Sequence, residues 1–252
     1  MSHRWRAPLV FAALFLLYQS AEGIGDRWLH SFAIQASLMC ACVLAAWPLS
    51  HWLGRKGYSA YALQWRPARG WVWLVGGLAL AVLGKVVAVA VGLRLGVYTS
   101  NTGGLAWAHF SGGALAMLLL STFVPSLAED ILTRGFWYRA AGIRWRRGAV
   151  FVMFSSALYV LNHIYRLERG PLEWGMLFCF GLAYATALWR SGSLWAAFGL
   201  HWGWNLANGW LAVDILDAPR SAMLSAVAHL AMLLVVLAMP AGSQQADQRI
   251  RV

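Results

Sequence analysis

Glu129 and Asp130 stand side by side in LAEDILTRGFWYR (residues 127–139), directly after the apolar run GGALAMLLLSTFVPS, in a chain with only nine acidic residues. On a helix Asp130 shares a face with Arg134, four residues on, and can pair with it, whereas Glu129 is rotated by about 100° and can point elsewhere. The acidic pair therefore divides into a supported carboxylate and a free one. Two more one-turn pairs follow: Tyr159 and His163 in SSALYVLNHIY, then His201 and Asn205 in GLHWGWNLANGW, with Asn208 continuing the stripe. A His and an Asn one turn apart can direct two donors at one developing oxyanion, provided that a base lies nearby. Spacing alone leaves open an ion pair at a membrane end for Asp130 and Arg134, and an interhelical hydrogen-bond seam for His201, Asn205 and Asn208.

These side chains sit in an apolar chain. Of its residues 60% are hydrophobic and 12% charged, and the mean hydropathy is +0.59, far from a soluble protein with about a quarter of its residues charged. Apolar stretches near the roughly 20 residues that cross a bilayer fall at about 5–20, 29–49, 71–93, 106–128, 149–165, 173–189, 193–213 and 221–239. The expected fold class is all-α, a polytopic membrane bundle of about eight transmembrane helices. It forms one domain over 1–240, with the motif-bearing core at 110–212 and a polar tail at 241–252. The first stretch follows Arg4 and Arg6 without an Ala-x-Ala-like cleavage site, and reads as a helix of the bundle rather than a signal peptide.

Basic residues in short loops stay cytoplasmic. With the N-terminus inside, fourteen Lys and Arg fall on the inner side and five on the outer, with Lys85 within a span. This predicts a multi-pass protein of the cell (inner) membrane with both termini cytoplasmic. The net charge of +11 suits anionic lipid headgroups on one face, so the bilayer and not nucleic acid is the expected partner. Cys40, Cys42 and Cys179 all lie inside spans and imply neither a disulfide framework nor a zinc ribbon. Residues 54–70 read as an interfacial linker, with Trp65 and Arg66 at headgroup level.

A polar side chain inside a span is costly enough to be a functional candidate. Besides the three pairs, these are Lys85, Asn162 beside His163, and His229. Lys85 can pair with the acidic cluster or snorkel along small residues. His229 reads as a satisfied interior histidine. A relay from Lys85 to Glu129 would suit a proton-coupled transporter, the alternative reading from the charged residues.

Glu-Asp-x-x-x-Arg, Tyr-x-x-x-His and His-x-x-x-Asn, in this order, resemble the motifs of the CPBP family of intramembrane proteases, which includes type II CAAX prenyl proteases and bacteriocin-processing or immunity proteins. The family pattern is Glu-Glu-x-x-x-Arg, Phe-x-x-x-His and His-x-x-x-Asn, so Asp130 replaces a Glu and Tyr159 a Phe. The resemblance covers roughly residues 110–212. It implies an intramembrane peptidase in which Glu129 and His163 activate a water, His201 and Asn205 stabilise the oxyanion, and Asp130, Arg134 and Tyr159 support them. The implied partner is a membrane-associated protein or peptide, cleaved near the membrane surface in a leader, lipidated or C-terminal sorting segment. A polar cavity is expected to open to the cytoplasmic side or laterally, because unpaired backbone is tolerated at membrane depth only inside protein or a wet cavity. A non-catalytic immunity or scaffold protein of the same fold is a further alternative.

No cofactor is expected, with zinc as the runner-up, held by His163, His201 and Glu129. Zinc proteases with two His and one Glu commonly carry both histidines one turn apart on one helix. Here they lie on different helices, and the one-turn partner of His201 is an amide.

Overall fold

The computed structural model describes residues 5–100, 111–143, 145–211 and 213–239. The tail 241–252 and the first residues of the expected span 106–128 lie outside them. Within these residues eight helical rods follow one another: α1 (Arg6–Ser20, running on through π-helical turns at Ala21–Trp28), α2 (Phe32–Trp52), α3 (Pro67–Arg94), α4 (Gly112–Asp130), α5 (Gly148–Asn162), α6 (Pro171–Ser191), α7 (Leu194–Trp210) and α8 (Ala218–Ala238). After Asp130, α4 continues through a π-helical turn at Ile131–Gly135 into Phe136–Arg139. Two three-residue strands, β1 (Tyr98–Ser100) and β2 (Val213–Ile215), pair antiparallel and tie the end of α3 to the α7–α8 connection.

Local chemistry sets the helix ends. The hydroxyl of Ser111 accepts from the Ala114 amide, and the carboxylate of Asp217 from the Arg220 amide, each satisfying a donor left free by the first turn. Pro67 and Pro171 open α3 and α6, where the missing N–H costs nothing. Gly192, with φ +67°, closes α6 so that α7 can reverse after two residues.

The exterior of the bundle is apolar. Leu44, Leu83, Leu120, Val227 and Leu234 are each at least 61% exposed, whereas Glu129, Asp130, Arg134 and His201 are buried. That inversion suits lipid as the surrounding solvent, and the chain is a multi-pass membrane protein. Among the described residues, six rods are long and apolar enough to cross. The expected bundle of about eight helices is present, with α5 and α7 the short ones at 15 and 17 residues, or about 22 and 25 Å against a hydrocarbon core of about 30 Å. The chain leaves helical geometry at His163, with φ −85° and ψ 48°, and α7 exchanges apolar residues for His201, Asn205 and Asn208. The two short helices position the two histidine motifs, Tyr159 with His163 and His201 with Asn205.

Glycines bring α7 against α3. A Cβ on Gly199 would lie 2.5 Å from the Leu74 carbonyl oxygen, and one on Gly203 2.6 Å from that of Leu78. Small residues one turn apart let two backbones touch, as in other membrane helix pairs. His201 lies between these glycines in sequence, about 200° around the helix from Gly199, and so faces away from α3. The 54–70 segment is more than an interfacial linker. Tyr61 in its 3-10 turn is fully buried, and its carbonyl oxygen lies 2.6 Å from where Gly135 would carry a Cβ. Trp65 packs edge-on against Trp71 and Trp195.

Candidate active site

The site forms where the end of α4 meets α5, α6 and α7. Its π-helical turn follows Asp130 directly, and such turns recur at functional sites because they widen the helix locally. The Thr133 hydroxyl donates to the Glu129 carbonyl at 2.7 Å, and the Ser155 hydroxyl of α5 donates to the Thr133 carbonyl at 3.0 Å. The second bond fastens the turn to α5.

Glu129 stands between two imidazoles. Its Oε1 lies 3.5 Å from His163 Nδ1, and its Oε2 3.6 Å from His201 Nε2. Asn162 Nδ2 donates to Oε1 at 3.2 Å. His163 lies just beyond the end of α5 and directs Nδ1 at the Tyr159 carbonyl, 2.8 Å away. A backbone carbonyl can only accept, so Nδ1 bears the proton and Nε2 holds the lone pair in the neutral ring. The His163 side chain is 12% exposed and that of Glu129 6%, so the more open edge lies at the His163 end. Its rim carries charge: Arg166 pairs with Glu173, and Arg27 lies 3.7 Å from Glu168.

Asp130 serves two partners. Its Oδ1 accepts from Arg134 Nη1 and lies 3.2 Å from His201 Nδ1. Arg134, fully buried, sits over the rings of Tyr159 at 4.4 Å and Tyr184 at 4.9 Å, an arrangement in which the aromatic faces share the stabilisation of a desolvated guanidinium. Tyr184 also stacks on His201, with centroids 5.0 Å apart, and its hydroxyl bonds His229 Nε2 at 2.8 Å. His229 Nδ1 bonds the Ser225 carbonyl at 2.8 Å, which bears out the reading of a satisfied interior histidine.

The sequence-derived residues thus gather unequally. Glu129, Asp130, Arg134, Tyr159, His163 and His201 form one cluster. Asn205 lies on the same α4–α7 seam, where its Nδ2 donates to Ser126 Oγ at 3.0 Å, and Asn208 is exposed. Lys85 neither pairs with the acidic cluster nor snorkels: it is buried, with Nζ 4.8 Å from the Trp204 ring centre. Gln19, Ser126 and Tyr184 were not among the expected residues. Gln19 carried the same signal as the others, an amide in an apolar span.

Each imidazole faces a different oxygen of Glu129, and among the described residues no three His, Cys, Asp or Glu side chains are grouped to hold a metal ion. The arrangement can move protons: a carboxylate touches two imidazoles, one of which is backed by a second carboxylate.

Residues 111–207 match the family model of the Rce1-like type II CAAX prenyl endopeptidases. All three motif pairs fall inside the matched segment, in agreement with the CPBP resemblance. The match supports an intramembrane protease of the CAAX type in general. No curated protein and no solved structure matches the chain.

Proposed function

We propose that the chain is an intramembrane endopeptidase whose nucleophile is a water activated by Glu129 and His163. The observation that carries this is Glu129 itself, buried yet within 3.6 Å of imidazoles on both sides. In the reaction a water O–H bond breaks, the proton moves to Glu129, and the new hydroxide oxygen bonds the scissile carbonyl carbon as the carbonyl electron pair moves to oxygen. His201, held by Asp130 with its proton on Nδ1, has its Nε2 lone pair toward the site. It becomes an oxyanion donor on receiving the proton, with Asp130 balancing the imidazolium charge, as carboxylates do for histidines in other hydrolases. Asn205 is the second oxyanion donor, and swings to it from Ser126. The proton finally passes to the leaving nitrogen as the C–N bond breaks.

The substrate is a peptide segment near a membrane surface. The orientation from loop charge turns the His163 end of α5 to the non-cytoplasmic side, so the exposed rim favours an exported leader or a C-terminal sorting segment over a prenylated cytoplasmic tail. The expected cytoplasmic opening finds no support in this arrangement. A transporter relay from Lys85 to Glu129 finds none either, since Lys85 lies against Trp204.

The test compares N- and C-terminal processing of membrane proteins in cells carrying wild type or Glu129→Gln. Precursors that accumulate only in the variant are expected. Identical processing in both would refute the proposal in favour of a non-catalytic role.

A further inference from the structure

We propose that Gln19 and Asn162 are positioning residues that set the two oxygens of Glu129 to different tasks, Oε1 as a fixed acceptor and Oε2 as the oxygen that takes the proton. The inference rests on Glu129 being the base. Gln19 belongs to α1, outside the segment 111–207 that matches the family model, and lies 143 residues from Asn162.

The hydrogen bonds run in one direction. Gln19 Nε2 donates to the backbone carbonyl of Asn162 at 2.9 Å and to its Oδ1 at 3.1 Å. Because the backbone carbonyl can only accept, the NH2 end of Gln19 must face Asn162. The same NH2 group then holds Asn162 Oδ1, which turns Asn162 Nδ2 toward Glu129 Oε1 at 3.2 Å. Both amides are buried, and Gln19 Oε1 has no hydrogen-bond partner among the described residues. An unpaired buried oxygen is costly, so the orientation of Gln19 is set by what its NH2 group holds.

A carboxylate oxygen that accepts from Asn162 carries no proton of its own toward that donor. His163 Nδ1, also near Oε1, directs its proton to the Tyr159 carbonyl. The free oxygen is Oε2, 3.6 Å from His201 Nε2. With His201 Nδ1 on Asp130, that Nε2 is an acceptor in the neutral ring. A proton taken from water by Oε2 therefore lies beside the next acceptor in the sequence of transfers, and the chain Gln19–Asn162–Glu129 gives the transfer its direction.

The test uses the full chain in lipid nanodiscs, with Gln19→Leu, Asn162→Leu and the double variant. The infrared carboxylate stretch of Glu129, isolated as wild type minus Glu129→Gln, is read without substrate. It is expected to shift in both single variants. On a peptide spanning the cleavage site found in the cellular comparison, Asn162→Leu should lower kcat about 100-fold with KM nearly unchanged, the scale of a misplaced catalytic group. Gln19→Leu should act in the same direction, and the double variant should fall no further than Asn162→Leu, as expected for one chain of contacts. An unmoved band in both single variants, or losses that multiply in the double variant, would overturn the proposal. If Asn162→Leu does not fold, Gln19→Met decides: its band moves, or the proposal is wrong. Full activity of Glu129→Gln would instead remove the base reading, an outcome that the substrate-free band distinguishes.

Discussion

His201 spans the two adjacent carboxylates of α4, with Nδ1 3.2 Å from Asp130 Oδ1 and Nε2 3.6 Å from Glu129 Oε2. One ring thus couples the acid that is tied to Arg134 with the acid that faces His163. Asp130 is more than a partner for Arg134, since it also selects the tautomer of His201.

Asp130→Asn keeps the shape and removes the charge. Arg134 is then buried without a counter-ion, a change that typically costs about 3–5 kcal/mol, and the amide can face His201 with the wrong end. We expect a lower thermal midpoint in detergent together with loss of processing. Wild-type stability in this variant would show that the aromatic rings and the Thr133 hydroxyl hold Arg134 without the carboxylate.

Asn205 and Ser126 separate an oxyanion donor from a structural seam. Loss of one such donor lowers kcat by about 100- to 1000-fold in other enzymes, so Asn205→Ala is expected to fall in that range with KM little changed. Ser126→Ala, which frees the Asn205 amide, should cost less than about tenfold. Equal effects of the two variants would assign Asn205 to the α4–α7 seam.

The glycine contact between α3 and α7 predicts a steric effect on the chemistry. Gly199→Ala places a Cβ 2.5 Å from the Leu74 carbonyl oxygen and should destabilise by about 1–3 kcal/mol, as overpacked sites do. Because α7 must move to relieve the clash, His201 should shift with it and processing should slow. Gly76→Ala, on α3 with open space around its Cβ, is the control: it should leave the rate unchanged and not lower stability, since Ala suits a helix interior better than Gly.

Activity is expected to survive a membrane-permeant tight chelator, since Glu129 stands between the imidazoles rather than beside them. The assay is cleavage by purified protein before and after stripping. Loss that stoichiometric zinc restores would reassign Glu129, His163 and His201 as ligands.

The basic loops predict the direction of the site across the bilayer, and reporters after Val252 test it. A cytoplasmic fluorescent reporter should be active there and a periplasmic phosphatase inactive. The opposite pattern would turn the His163 rim to the cytoplasm and restore a prenylated tail as the favoured substrate.

The sequence by itself determined the class of molecule and most of the cluster. A bilayer makes each intramembrane polar side chain expensive, so Glu129, Asp130, Arg134, His163 and His201 stand out against their apolar neighbours, and the one-turn spacing of Asp130 and Arg134 is a local property that any helix expresses. Tertiary structure decided the rest. The contact between His201 and Asp130 joins residues 71 apart, and that between Gln19 and Asn162 residues 143 apart. No local periodicity encodes such pairings. They arise because glycines draw α7 onto α3, a π-helical turn widens α4 beside Asp130, and α5 stops at Asn162. The same packing took Lys85 to Trp204 and held Asn205 on Ser126, since a side chain's partner depends on which helices meet, and helices meet through the fit of their surfaces.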